Sequence, residues 1–376
     1  MVKVMSAGPT QVRENVRLAI AREATNPDLD IDFFNFYRET CDLLEELLHS
    51  SGKAFILGGE GILGLEAACA SLTEPGDRVL VIENGIFGKG FADFVTMYGG
   101  EAVVLSGDYR NPLSPEMIRD FLEKDSDFKY ATIVHCDTPT GVMNDISKIG
   151  PLLASYGIMS VVDSVAGMFG EPLDYDECKI DILCGGSQKA LSAPPGLSMV
   201  WVSDLAFSAM ENRKTPIASF YANLLLFKDY YKNLAFPYTM PANDIAGLRQ
   251  ALENVKEDKG MIMRHKAISK ATRVAVEKSG LKLFLDSGFS NNVTAIEVPD
   301  GLTDAEILGT IKEKYGVLLS GCFDCLAGKI FRIGHMGENA RKDEMIETMA
   351  ALDSTLRDLG FPLKCSLKDE FISHFE

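Results

Sequence analysis

Asp181-Ile182-Leu183-Cys184-Gly185-Gly186-Ser187-Gln188-Lys189-Ala190-Leu191-Ser192-Ala193-Pro194-Pro195-Gly196 is the stretch from which this chain is read. It opens as a short apolar run, passes two glycines, places a lysine in the turn beyond them, and closes on a rigid Pro-Pro-Gly turn. A further apolar run, 199–202, follows. Similar runs stand upstream at 54–57, 78–82, 102–105, 130–134 and 159–162. Helical spacing separates several of them, as in Leu65-Glu66-Ala67-Ala68-Cys69 and at Met117, Ile118, Phe121 and Leu122. Continuously apolar strands alternating with helices predict a mostly parallel sheet with helices on both faces, an α/β fold.

The pattern changes toward the C-terminus. Ile245, Leu248, Leu252 and Val255 form one apolar stripe of a helix that begins near Asn243. Past about residue 275 a strand at 292–298, a helix at 304–314, a strand at 330–333 and a helix at 342–359 predict a smaller α/β domain. The expected organisation is an N-terminal segment over 1–20, a large cofactor-binding domain over 21–260 and a small domain over 261–376.

Bulk composition narrows the partners. The net charge of −17 disfavours nucleic acid and anionic membranes. No apolar run reaches the roughly 18 residues of a membrane span, and the first ten residues do not read as a signal peptide. The eight cysteines are scattered rather than spaced as a disulfide framework, so reduced thiols and a cytoplasmic location are expected. Cys322 and Cys325 form a lone C-x-x-C without a second half-site, and the five histidines show no metal-binding spacing. No metal is expected.

Two charged residues carry the chemistry. Val161-Val162-Asp163-Ser164-Val165-Ala166-Gly167 sets a carboxylate at the end of an apolar strand. Asp163 and Lys189, 26 positions apart (189 − 163), would both project where the carboxyl ends of parallel strands place ligands. A desolvated lysine has a depressed pKa and condenses with carbonyls. A pyridine ring needs a buried carboxylate to keep its nitrogen protonated.

A rival reading comes from Gly59-Glu60-Gly61-Ile62-Leu63-Gly64, which fits G-x-G-x-x-G, with Glu83 ending the next strand 19 residues on (83 − 64). It would make the chain a nicotinamide-dependent dehydrogenase. The motif follows a leader of about 50 residues, unusual for that fingerprint, and it leaves the lysine and aspartate motifs unexplained. A glycine-rich turn before a helix suits any anion.

Ser187-Gln188-Lys189-Ala190-Leu191-Ser192-Ala193-Pro194-Pro195-Gly196 resembles the lysine motif of class V, fold-type I aminotransferases, in the branch of the alanine–glyoxylate and serine–pyruvate enzymes. The resemblance runs from Gly8-Pro9 to Arg332-Ile333-Gly334 with its motifs in the family order. It implies a large domain with a seven-stranded, mostly parallel sheet, a homodimer, and pyridoxal 5'-phosphate as cofactor. Carried over, Lys189 is the Schiff-base lysine and Asp163 pairs with the ring nitrogen. Phe87 stacks on the ring, and Thr138 reaches the ring hydroxyl. Gln188 anchors the cofactor beside the lysine, while Glu60, Gly61 and Ile62 form the turn at its phosphate. Thr239 reaches the cofactor of the partner subunit. Arg332 clamps the substrate carboxylate, as a planar fork can. The implied reaction moves an amino group between a small amino acid and a 2-oxo acid such as glyoxylate or pyruvate.

Glu60 departs from the family pattern, since a carboxylate repels a phosphate. The pyridoxamine–pyruvate aminotransferase branch, which handles the unphosphorylated vitamer as a substrate, is similar at this place. It is similar again at Gly88-Lys89-Gly90-Phe91, Asp137-Thr138-Pro139 and Arg332-Ile333-Gly334-His335-Met336-Gly337. Gly321-Cys322-Phe323-Asp324-Cys325 lacks the second arginine expected of that branch. Two placements of Glu60 would reconcile it with phosphate: turned outward, or bound to a cation such as Lys89. Further alternatives are a lyase or desulfurase, for which Cys322 or Cys325 is the candidate loop cysteine, and a catalytically inert binding module. His135 and His335 are expected to pack behind the site, and Trp201 in the core. Phe33, Phe34, Phe36 and Tyr37 line the mouth or form a packed lid.

Overall fold

The seven apolar runs become one sheet in the computed structural model, which describes residues 2–375. In chain order the strands are β1 (Lys3–Val4), β2 (Lys53–Gly58), β3 (Arg78–Glu83), β4 (Glu101–Ser106), β5 (Tyr130–Val134), β6 (Cys136–Asp137), β7 (Val142–Met143), β8 (Met159–Asp163), β9 (Ile182–Gly186), β10 (Leu197–Val202), β11 (Val293–Glu297), β12 (Val317–Leu318) and β13 (Ile330–Gly334). The large sheet has the order β2-β10-β9-β8-β5-β3-β4. Only β10 runs against the others, pairing antiparallel with β9 and β2. Every residue of β5, β8, β9 and β10 is buried, as a sheet covered on both faces requires. The edge strand β4 alternates between exposed and half-buried positions.

Among the covering helices are α1 (Glu14–Ile20), α2 (Ile31–Leu47), α3 (Gly61–Leu72) and α4 (Ile86–Met97). Helix α3 buries nine of its twelve residues and lies close on the sheet. Gly64 permits that approach, because a Cβ there would sit 3.2 Å from Val200 Cγ2. Phe33, Phe34 and Tyr37 of α2 are buried against Phe236 and Tyr230, so this aromatic cluster is packed core. Trp201 is fully buried.

A second core gathers Met5, Ile268, Phe331, Leu352 and Phe371. It is built on β11 paired antiparallel with β13, and on β1 paired parallel with β12. The first residues of the chain therefore join C-terminal elements. The C-terminal half also holds two helices that periodicity did not reveal, Met261–Lys278 and Leu367–His374, packed on each other. The first turns small residues inward (Ala271, Ala275 and Ser269), so its buried face does not read as an apolar stripe. The expected helix at 304–314 is Asp304–Tyr315. Thr303 and Glu306 cap each other's backbone at its start, and left-handed Gly316 ends it.

Candidate active site

The large sheet delivers its side chains at the carboxyl ends of its parallel strands. Asp163 ends β8, and β9 ends at Gly186, three residues before Lys189. Between them opens a cavity of about 230 Å³. Glu60, Ile62, Phe87, Thr138, Asp163 and Lys189 all line it. Leu65, Cys136, Val165 and Ala166 complete the wall; these are apolar or small, and nothing in their spacing marks them as lining residues. Gly61 adjoins, and a Cβ there would meet Val165 at 2.9 Å.

Lys189 Nζ donates to the Ala7 carbonyl at 2.9 Å. Burial, and then the Arg332 cation, push its pKa down to about 8. Near pH 7.5 that raises the neutral, nucleophilic fraction from about 0.1% to about a quarter. The N-terminal segment covers this lysine so closely that a Cβ on Gly8, at φ +98°, would fall 2.5 Å from Lys189 Cδ.

Asp163 is 4% exposed and accepts from the Val165 N–H at 2.9 Å. Burial raises its pKa to about 7; Asp137 adds to the rise and Lys189 opposes it. Among the described residues no cation lies within salt-bridge distance of it, so a protonated ring nitrogen would supply the missing positive partner. Asp137 went unrecognised as a site residue. It is fully buried, accepts from Phe87 N–H at 3.1 Å and from the Thr140 hydroxyl at 2.8 Å, and fixes the loop bearing Phe87.

The glycine-rich turn differs from expectation. Glu60 is the N-cap of α3 and accepts from Ile62 N–H at 2.9 Å through Oε2. Its Oε1 accepts from the Gln188 amide, and its backbone carbonyl from Ser198 Oγ at 2.7 Å. The Gly64 N–H donates to Ser198 Oγ at 3.1 Å. Two of the amides expected to meet an anion are thus held by the protein itself. Glu60 is neither turned away nor paired with Lys89: its carboxylate sits at the anion end of the helix. The dinucleotide reading also fails on topology. Strand β2 is an edge strand paired only with antiparallel β10, and β3, which carries Glu83, lies at the far side of the sheet.

Arg332 is 7% exposed and turns its fork onto backbone carbonyls. Nε and Nη2 donate to Gly321 O at 2.9 and 2.6 Å, and Nη1 donates to Thr138 O at 2.9 Å. It is tied to the cavity through Thr138, with two of its five N–H groups left over. Phe323 packs edge-on to Phe87 at 6.1 Å. Thr239 is not in this cavity. It donates to Asp28 Oδ2 at 2.7 Å and lines a separate opening with Gly58, Gly196, Tyr221 and Tyr238. His135 and His335 are both buried, bonded to Ser164 and to Thr294 and Asn291 respectively.

The class-V aminotransferase family matches residues 33–320. The chain belongs to the class-V aminotransferases. It is 35% identical to an uncharacterised aminotransferase of Methanocaldococcus jannaschii, over 96% of this chain and 94% of that one. It is 32% identical to the pyridoxamine–pyruvate transaminase of Mesorhizobium japonicum, over 96% of this chain and 92% of that one. The crystal structure of ureidoglycine–glyoxylate aminotransferase from Bacillus subtilis superposes with a TM-score of 0.96 at 27% identity, covering 100% of this chain and 98% of that one. The cavity at the strand ends is therefore the candidate active site of a class-V aminotransferase.

Proposed function

We propose that this aminotransferase moves an amino group between a small amino acid and a 2-oxo acid such as pyruvate or glyoxylate, with pyridoxal 5'-phosphate held between Lys189 and Asp163. The observation that carries the reading is the pairing of a half-buried lysine of lowered pKa with a buried, cation-deficient aspartate across one cavity. When bound, the cofactor supplies an aldehyde for the amine and a protonated ring that withdraws electrons from the substrate carbon. Lys189 supplies the nucleophilic amine and, once released, a base that carries a proton at Nζ. Asp163 holds positive charge at the ring nitrogen, Phe87 covers one ring face, and Val165 and Ala166 exclude water. Thr138 lines the same cavity and would hydrogen-bond a ring substituent. Arg332 keeps two N–H groups for a substrate carboxylate. The ring's half of the group fits the residues present. The phosphate's half would need the Glu60 carboxylate to leave Ile62 N–H.

Glu60 supports a second reading, transamination of unphosphorylated pyridoxamine with pyruvate, since its carboxylate stands where a phosphate would be bound. The two part on one measurement. Dialysed protein that keeps pyridoxal phosphate by mass, and fixes it to Lys189 alone on borohydride reduction, supports the first. Protein that refuses pyridoxal phosphate and deaminates pyridoxamine establishes the second, and labelling at another lysine overturns both.

A homodimer belongs to the same proposal. Leu29, Phe220 and Tyr221 are exposed apolar side chains, and Tyr221 shares the Thr239 opening, which suits a surface that meets a second subunit's site. The eight free thiols support a cytoplasmic setting. No helix among the described residues is long and apolar enough to cross a membrane.

A further inference from the structure

A second cavity, larger than the one that holds Lys189, lies elsewhere in the molecule. It measures about 640 Å³ and lies behind the catalytic loop, between the end of α2, the segment 169–178 and the junction at 255–262. His135 lines it. This ring is 3% exposed, and its Nδ1 lies 2.9 Å from Ser164 Oγ. A Cβ on Gly167 would come within 2.3 Å of that same nitrogen, so the Nδ1 edge is pressed against the loop that follows Asp163. The ring forms part of the cavity wall, and its Nε2 has no hydrogen-bond partner among the described residues. Burial pushes the His135 pKa down to about 4, so the ring is neutral, and the tautomer that gives Nδ1–H to Ser164 leaves Nε2 as an acceptor.

The surrounding chemistry has one dominant sign. Leu47, Phe169, Leu173 and Ile262 give apolar wall. Of the carboxylates, Asp145 and Asp258 carry their own partners, Lys148 and Arg264. Glu171 is bonded to Asn291, which leaves Asp174 and Glu177 beside Lys259, with exposed His49 paired to Asp174 at 2.8 Å. An acceptor at the floor, apolar walls and an acidic rim match a protonated amine with a hydrocarbon body.

We infer that this cavity is a second binding site, for a small organic ammonium, whose N–H is taken by His135 Nε2. The ligand would be felt at the catalytic aspartate, because the His135 N–H donates to the Asp163 carbonyl at 2.8 Å while its ring holds Ser164. The test uses N,N-dimethylhexylamine, protonated at neutral pH and, as a tertiary amine, unable to condense with an aldehyde. Calorimetry on the purified enzyme should give one site with a dissociation constant on the order of 1 mM. The His135 ring resonances, assigned by their loss in H135Q, should shift on binding. The double variant D174N/E177K, outside the catalytic cavity, should bind at least tenfold more weakly and turn over at the native rate. Absent saturation, saturation without a His135 shift, or undiminished binding by the double variant overturns the inference.

Discussion

Burial shifts Asp163 up and Lys189 down, and across the cavity each opposes the other's shift; a cationic ring nitrogen beside Asp163 would draw its pKa back down and keep the carboxylate charged. About a quarter of the lysine is neutral near pH 7.5, and the aspartate is short of a positive neighbour. D163N keeps the shape of the group and removes its charge. It should retain part of the cofactor affinity and lower kcat by at least a hundredfold, read from single-turnover rates with an amino donor. Near-native turnover would reduce Asp163 to a structural cap. The same pair sets a pH dependence. Lys189 loses its proton as pH rises through about 8, so cofactor capture by the free protein should speed up across pH 7 to 9. Glu60 is the residue whose substitution separates the two readings of the cofactor. E60T preserves an N-cap oxygen for α3 while freeing Gln188 and removing a negative charge. It should tighten pyridoxal phosphate binding at least tenfold, about 1.4 kcal/mol. Activity with an amino acid should persist on the first reading, and pyridoxamine–pyruvate activity should fall on the second.

At the scale of elements, the site depends on how closely α3 and the N-terminal segment approach the sheet. Gly64 has no room for a branched side chain against Val200 and Ser198. G64V should cost about 1–3 kcal/mol by overpacking, seen as a lower melting temperature, and should also displace the Glu60 turn at the head of the helix. A G64V protein with native stability and native cofactor affinity would show that α3 has slack. This also explains why G-x-G-x-x-G misleads as a motif here. The last glycine serves helix–strand packing, and the intervening Glu60 fills the helix terminus that a nucleotide pyrophosphate would need.

For the whole molecule, the contact between the two cores is polar and titratable. Glu171, on the large-sheet side, is 1% exposed and accepts from the Asn291 backbone N–H and, at 2.7 Å, from its side-chain amide. Burial raises its pKa to about 7, with the Asn291 bonds and Arg273 opposing. A carboxyl whose folded pKa is raised contributes stability below its unfolded pKa, and that contribution is lost as pH rises through about 7. E171Q should remove this dependence and be relatively more stable than the parent at pH 8 than at pH 5, by about 1–3 kcal/mol. Urea melts at the two pH values check it, and an unchanged difference would mean that Glu171 is ionised without cost.

The residues that speak for themselves in this chain are those whose chemistry is local. Seven apolar runs, the turn bearing Lys189 and the aspartate ending β8 were all legible, because strand burial and turn geometry are decided within a few residues. The helix Met261–Lys278 was not legible, since its inward face mixes Met261, Ile268 and Val276 with polar and small residues that take their meaning from what packs on them. Only the folded chain decided that β2 is an edge strand, that Asp137 feels the Arg332 charge, that Gly8 closes over Lys189 and that Glu60 accepts from Gln188. Each of these joins residues distant in sequence. Where a carboxylate points depends on which donors the fold brings to it from afar, and Gln188 lies 128 positions from Glu60.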